Sequence, residues 1–347
     1  MSRITIREIA KMAGVSPSAV SFVINNSPGV SEETRRKVKE IIEKTGFVPN
    51  MNSRRLVYKR TFNIALVMIN ERTPLEDLFY VGVTRGILKR SKDYGYNIVF
   101  TEIEKINNQV KMPSVIRQHD TDGIIFVQGY DSTVINAIEG LDLPYIVVDA
   151  LDQDSAYTGI YVDYELASYV STSYLIENGH RKIAFISKGK EPLFYMQTFK
   201  GFCRALEKHT ISIPPDWLQI TAFDESTAYM SMKNILESGN IPTAVFCSVD
   251  SYAIGAMRCA QDMGYSIPED ISFTGIDNLL LSEYFKPGLT TINIDKEHLG
   301  SLAMDMIVKK IEHNPVESAV VRSDELIVRE SVKNINNQTE TQRERKE

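Results

Sequence analysis

"GVSPSAVSFVINN", residues 14–26, has the outline of a short helix without a single charged side chain. Ser16 before Pro17 sets an N-cap hydroxyl next to the residue best suited to the first helical position. Two further helix starts flank it. Thr5 and Glu8 have capping-box spacing around "IREIAKMA". Ser31 precedes "EETRRKVKEIIEK", with acids first and bases after them, as the helix dipole favours. Gly14 and Gly46 stand where the first and third helices must stop. Ile6, Ile9, Ala10, Val20, Val23, Ile24, Val38, Ile41 and Ile42 recur at helical spacing, which predicts one small shared core. Ala10 allows a close helix crossing, Gly14 turns the chain and Val20 pins the second helix. That spacing predicts a helix-turn-helix. With Val20, Val23 and Ile24 facing inward, Ser16, Pro17, Ser18, Ser21, Phe22 and Asn25 face outward.

The charge is unevenly spread. The 347 residues carry a net charge of −6, but residues 1–60 hold 12 basic and 5 acidic side chains, a balance of +7 that leaves −13 on the rest. A basic head on an acidic body suits a nucleic-acid-binding module joined to something else. Arg35, Arg36, Lys37, Lys39, Arg54, Arg55, Lys59 and Arg60 can supply phosphate attraction, which frees the uncharged helix to match base edges with hydroxyls and an amide. Phe22 either rests on a thymine methyl or covers the small core.

The unbroken run "TIREIAKMAGVSPSAVSFVINNSPGVSEETRRKVKEIIEKTGFVPN" resembles the headpiece of the LacI/GalR family of bacterial transcription regulators. The resemblance implies base and phosphate contacts from Thr5, Ser16, Pro17, Ser18, Ser21, Phe22, Asn25 and Asn50. Phe22 is the main departure, because many members carry arginine or another polar group there. "NMNSRRLVYKR", residues 50–60, is a basic linker too short to hold a helix alone. In the family such linkers become hinge helices when two subunits share an operator. That implies Ser53, Arg54 and Leu56 in the minor groove, with Leu56 the apolar wedge; the alternative is that Leu56 packs on the body.

From residue 62 strands and helices alternate. "FNIALVMI", "YNIVFTEI", "DGIIFVQ" and "PYIVVD" form one round, and "KIAFIS", "LQIT", "TAVFCSV" and "ISFTGID" form a second. The expected fold class is α/β: a helix-turn-helix headpiece plus two doubly wound parallel-sheet subdomains. "IENGHRKIAFI", "IPEDISFTGIDN", "LTTINIDKEHLG" and "LIVRES" also resemble the family's core, similar to type I periplasmic sugar-binding proteins. This implies three crossings between subdomains, near residues 160, 290 and 320. The expected organisation is a headpiece at 1–48, a hinge at 49–61 and an effector-binding and dimerisation core at 62–332. The core divides into about 62–160 plus 291–320, and 161–290 plus 321–332, followed by a polar, disordered tail at 333–347. The tail has no leucine heptads, so a homodimer is expected rather than a tetramer.

Doubly wound sheets bind ligands at the carboxyl ends of their strands. Asp149, Asp250 and Asp277 end or follow strands there; each either accepts hydrogen bonds from an effector or caps the next helix. Phe79, Tyr80, Tyr195 and Phe223 are candidates to stack on a ligand, or to pack in the core. Sugar-binding members of the family commonly have an arginine three residues before the glycine of the "GF" pair, where this chain has Thr198. They often have an asparagine before the strand-end aspartate, where this chain has Val249. The pocket is thus less polar than usual, leaving open a modified sugar, a less hydroxylated molecule, or no small molecule at all.

Other classes fare worse. No GxGxxG follows the first strand, no Walker loop or GxSxG elbow occurs, and His119, His180, His209, His298 and His313 share no metal spacing. No catalytic residue, metal or cofactor is expected. A secreted solute-binding protein would need a signal peptide and no basic head, whereas no apolar run approaches the roughly 20 residues that span a bilayer. Cys203, Cys247 and Cys259 are odd in number and without CxxC spacing, in keeping with a cytoplasmic protein. The expected partners are pseudo-palindromic operator DNA, a small-molecule effector and a second copy of the chain.

Overall fold

The computed structural model describes residues 4–24, 28–47, 55, 58–69, 77–106, 109–127, 132–151, 157–189, 192–222 and 224–336. Asn25, Asn50, Ser53, Arg54, Leu56 and Phe223 lie outside the described residues. The chain divides into two compact units, Met1–Phe62 and Asn63–Glu347.

The first unit contains α1 (Ile6–Ala13), α2 (Pro17–Ile24) and α3 (Glu32–Thr45). The Thr5–Glu8 capping box is formed, Ser31 Oγ accepts from Thr34 N, and Gly14 and Gly46 close their helices in the left-handed region at φ 67° and 61°. Ile9, Ala10, Ala13, Val20, Val23 and Val38 are buried together, with Ile6, Ile24, Ile41 and Ile42 packed around them. A unit this small buries little surface, so each cap, worth about 1 kcal/mol, is a sizeable share of its stability.

The second unit holds two sheets. The first has the strand order β12-β6-β5-β4-β1-β2-β3, built from β1 (Asn63–Ile69), β2 (Asn97–Ile106), β3 (Gln109–Lys111), β4 (Gly123–Val127), β5 (Tyr145–Val148), β6 (Gly159–Val162) and β12 (Ala319–Val321). The second has the order β13-β11-β10-β9-β7-β8, from β7 (Ile183–Lys188), β8 (Leu218–Ala222), β9 (Ala244–Cys247), β10 (Ser272–Asp277), β11 (Thr290–Asn293) and β13 (Leu326–Ile327). All pairings are parallel except β2 with β3 and β11 with β13. The central strands β4, β5, β7, β9 and β10 are near-continuous runs of buried residues, as a parallel sheet covered on both faces requires.

The chain passes between the sheets at residue 163, at residues 294–295 and at residues 322–325. After the first passage α7 (Tyr164–Glu177) packs on α8 (Pro192–Lys208) and on the second sheet. After the second, α12 (Lys296–Ile311) packs on α4 (Leu78–Tyr94) and the first sheet. Between β10 and β11 lies the short α11 (Leu280–Tyr284), and α9 (Glu225–Glu237) and α10 (Asp250–Asp262) cover the outer face of the second sheet. The shortest helices of the first subdomain, α5 (Ser114–Arg117) and α6 (Ser132–Glu139), complete the set.

Residues 333–336 differ from the expected disordered tail. Lys333 N donates to Ser272 Oγ, Ile335 N to Asn178 O and Asn336 Nδ2 to Glu177 O. His180, buried beside them, donates from Nε2 to Lys333 O at 3.0 Å, which leaves Nδ1 to accept from Thr243 Oγ1 at 3.0 Å. A polar segment orders here because its backbone finds partners that its side chains do not advertise.

Helices α4 and α12 meet through glycines. A Cβ on Gly86 would overlap the Glu297 carbonyl, and one on Gly300 would overlap that of Val83. Helix propensity alone would make Gly300→Ala stabilising by about 0.5–1 kcal/mol. The contact reverses the sign: overpacking costs about 1–3 kcal/mol, so thermal denaturation should show Tm falling by several degrees. An unchanged or higher Tm would show that this crossing is loose.

Candidate functional site

In the first unit, the outward face of α2 presents hydroxyls. Ser16, Pro17 and Ser18 are exposed and Ser21 is half-buried. Ser16 Oγ already accepts from Ala19 N at 3.1 Å, so its hydroxyl hydrogen remains to donate. Thr5 is exposed, with its side chain engaged by Glu8. Phe22 is 43% exposed and stands apart from the apolar cluster, near Gly29. An aromatic ring held in solvent on a face of small hydroxyls is available for contact with an apolar group such as a thymine methyl. On α3, Arg36, Lys37 and Lys39 are exposed, while Arg35 is half-buried and paired with Glu32 at 3.6 Å.

In the second unit, side chains from both subdomains converge where strands end. Asp149 follows β5 in the left-handed region at φ 58°. Its Oδ2 accepts from Tyr80 Oη and its Oδ1 from Tyr164 Oη, both at 2.8 Å. Tyr80 belongs to α4 on the first sheet, and Tyr164 opens α7 on the second. One carboxylate is thus tied to both sides. Phe79 meets Tyr80 edge-on with ring centres 5.1 Å apart, and Phe194 meets Tyr164 at 4.8 Å.

Asp277, at the end of β10, is only 5% exposed and has φ 119°. Burial pushes its carboxyl well above the usual carboxylate range, and the like charges of Asp250, Asp77 and Asp149 add to the rise while Lys296 opposes it. Lys296 Nζ reaches back from α12 to the backbone carbonyls of Asp277 and Ile294. Burial lowers its pKa; the carboxylates of Asp277, Asp250 and Asp295 work the other way. Ser187 and Ser248 lie at the ends of the adjacent strands β7 and β9, with buried Oγ atoms that have no hydrogen-bond partner among the described residues.

Asp250 has a third role beside the two that its sequence position suggests. It is fully buried, and its carboxylate accepts from Leu279 N at 2.9 Å and from Ser282 Oγ and Thr291 Oγ1 at 2.5 Å each. It neither caps α10, whose N-cap is Val249, nor keeps an oxygen without a protein donor. It fastens the loop after β10 to β11. Thr198 is buried, and its hydroxyl bonds back to Phe194 O and Tyr195 O of its own helix. Tyr195 stacks on Phe199 at 5.3 Å within α8, and Val249 packs against the core of the second sheet.

Tyr164, Asp77 and Lys296 were not legible as site residues. Lys296 did leave one sign: a cation at the first position of a helix faces the positive end of the dipole and needs another partner. Among the described residues no group of His, Cys, Asp and Glu could hold a metal ion, and no helix is long and apolar enough to cross a membrane.

Residues 5–50 match the model of bacterial regulatory proteins of the lacI family, and residues 172–332 that of a periplasmic binding protein-like domain. The chain is 31% identical over 346 residues to the HTH-type transcriptional repressor PurR of Histophilus somni (strain 129Pt), covering 95% of this chain and 99% of that one. It belongs to the LacI family. Among solved structures, a transcriptional regulator CelR–cellobiose complex is 25% identical with a TM-score of 0.70, covering 95% of this chain and 100% of the other. The lac repressor dimer bound to operator and the anti-inducer ONPF is 22% identical with a TM-score of 0.77, covering 96% and 100%. As a LacI-family member the chain is a DNA-binding transcriptional regulator, with the α/β periplasmic-binding-protein-like core that its sheets display.

The buried acids of this LacI-family core give a pH signature. Between the ordinary aspartate pKa and the raised value of Asp277, the unfolded chain has released a proton that the folded chain keeps. Stability therefore falls as pH rises from about 4 through the raised pKa. Urea unfolding at about pH 5 and about pH 8 should show a smaller fall for Asp277→Asn than for the unsubstituted protein. Equal falls would place Asp277 in a solvated, ordinary environment.

Proposed function

We propose that the protein is a homodimeric repressor that reads a near-palindromic operator and releases or grips it in response to a small molecule bound between the two sheets of its core. The observation that carries this reading is Asp149. A carboxylate bound by phenols from both subdomains lies where a ligand can change their relative angle, and it does so in a chain whose other unit presents a helix-turn-helix face. The division of labour follows the sequence: headpiece at 1–48, hinge at 49–61, effector and dimerisation core beyond. Relatives of this chain are transcriptional regulators, and we read the protein as one without enzymatic activity.

Dimerisation has its own support. Leu280, Leu281 and Tyr284 of α11 are 71%, 51% and 68% exposed, and Met230 of α9 is 50% exposed. Close by, Tyr229, Met230, Ile254 and Phe285 line an open cavity of about 600 Å³. An apolar surface of this kind marks an interaction site, and a closed two-fold dimer is the commonest way to bury it. The solved lac repressor neighbour is itself a dimer on its operator.

Selection of bound sequences from a random duplex pool at about physiological salt is the decisive test. A palindrome with a central C-G step is expected, with outer bases that change in Phe22→Ala. Leu56→Ala should lose operator affinity by about tenfold or more together with DNA bending, as removal of a minor-groove wedge requires. Weak, salt-sensitive binding with no consensus would instead favour a head that needs a corepressor.

The dimer is tested separately. Leu281→Asp should give a monomer in sedimentation experiments and lose operator binding, with the headpiece still folded. A variant that remains dimeric would move the interface elsewhere.

A further inference from the structure

The end of β10 is held from two sides. Asn278 has φ 51°, in the left-handed region that asparagine tolerates, while Asp277 at 119° lies where a residue with a Cβ is strained. Strained backbone persists only where its surroundings over-determine it. The second subdomain pins Asn278 by three bonds: Arg329 Nη2 donates to its Oδ1 at 2.7 Å, its Nδ2 donates to Asn293 Oδ1 at 3.1 Å, and its backbone N donates to Thr291 Oγ1 at 3.3 Å. From the first subdomain comes a single group. Lys296 opens α12 directly after the second passage of the chain, and its Nζ donates to the carbonyls of Asp277, Ile294 and Asn278.

The reach of Lys296 depends on α4. Its stem lies against Gly82, where an added Cβ would come within 2.8 Å of Lys296 Cβ and 3.1 Å of its Cδ. One turn further along, Gly86 is closed against the backbone of Glu297, so the stem stands in a fixed channel between the two helices. An ammonium group has three hydrogens to donate and nothing with which to accept, and three carbonyls use it fully. Its partners are backbone atoms, so the contact reports the path of the chain at 277–278.

We propose that Lys296 is a latch between the subdomains: its ammonium group, seated on Gly82, holds the strained turn at Asp277 and Asn278 and so fixes one arrangement of the core. The cation belongs to one subdomain and the carbonyls of Asp277 and Asn278 to the other, so a rotation about the chain passages breaks both bonds together. Once they are broken, Asp277 loses the group that holds it at positive φ and relaxes, which removes the docking geometry for Lys296. A strained turn kept by a single opposing group thus has two discrete states, held or released. The latch needs no ligand; only its effect on operator binding rests on the proposed repressor reading.

The test uses the full-length protein. Lys296→Met keeps an apolar stem and removes the donors; small-angle scattering should give a larger radius of gyration, and Tm should fall by several degrees. Gly82→Ala, which helix propensity alone favours, should displace the stem and enlarge the radius in the same direction. The strain is tested by placing Lys296→Met in Asp277→Ala and Asp277→Gly backgrounds. Alanine keeps the cost of positive φ, so the fall in Tm should persist; glycine removes that cost, so the fall should shrink by about half or more. Equal falls in the two backgrounds would overturn the strained turn, and an unchanged radius in both Lys296→Met and Gly82→Ala would overturn the latch. Operator affinity is measured beside each radius. A larger radius with unchanged operator affinity supports the latch and tells against control of DNA binding by the arrangement of the core.

Discussion

Asp149 is the point at which the two halves of the core answer to each other. Its carboxylate spans the interval between α4, which rides on the first sheet, and α7, which rides on the second. These two hydrogen bonds join the subdomains through one carboxylate. Such contacts favour discrete arrangements over gradual deformation. The glycine crossing of α4 and α12 adds rigidity where it is needed: α12 carries Lys296, and Lys296 holds the end of β10 by its carbonyls. Asp149 and Lys296 thus each link the two subdomains, the first through two phenols and the second through the backbone carbonyl of Asp277.

That arrangement sets what an effector must do. A molecule changes operator affinity only if it binds the two arrangements of the core unequally. In the proposed repressor, donors that compete with the phenols on Asp149 are the ones able to bind two arrangements unequally, because that carboxylate joins the two subdomains. Asp250 is different. Its three donors all come from the second subdomain, so its bonds survive any rotation of that body, and its part is to keep the loop after β10 in place. Two aspartates that occupy equivalent strand ends therefore do different work.

The headpiece was legible in the sequence almost residue by residue. Thr5 with Glu8, Ser31 with Thr34, and the glycines after α1 and α3 interact within three or four positions, so local spacing carries the whole message. The strands of the core were legible for a related reason: burial on both faces leaves continuous β-branched runs. The site was legible only in part. The strand-end acids announced themselves, but their partners did not, since Tyr80 lies 69 residues from Asp149 and Thr291 lies 41 from Asp250. A tyrosine at the start of a helix and a lysine at the start of another look like ordinary surface residues until the fold closes over them. The same holds for residues 334–336, whose polar composition reads as a tail while their backbone is tied to α7.

The uneven charge of the chain acquires a physical role once the two units are considered together. An acidic body is repelled by DNA, which weakens unspecific attachment through the core and leaves binding to the +7 headpiece. In the proposed repressor the uncharged α2 faces the bases, so salt-sensitive attraction is assigned to the exposed Arg36, Lys37 and Lys39, and sequence discrimination to the hydroxyls of α2 and the exposed Phe22. Discrimination built from hydroxyls and one ring is modest per contact, because a bidentate arginine is absent from that face. In the proposed dimer specificity comes from doubling the contacts through a second subunit, and the exposed apolar side chains of α11 are the surface proposed to bring that subunit in.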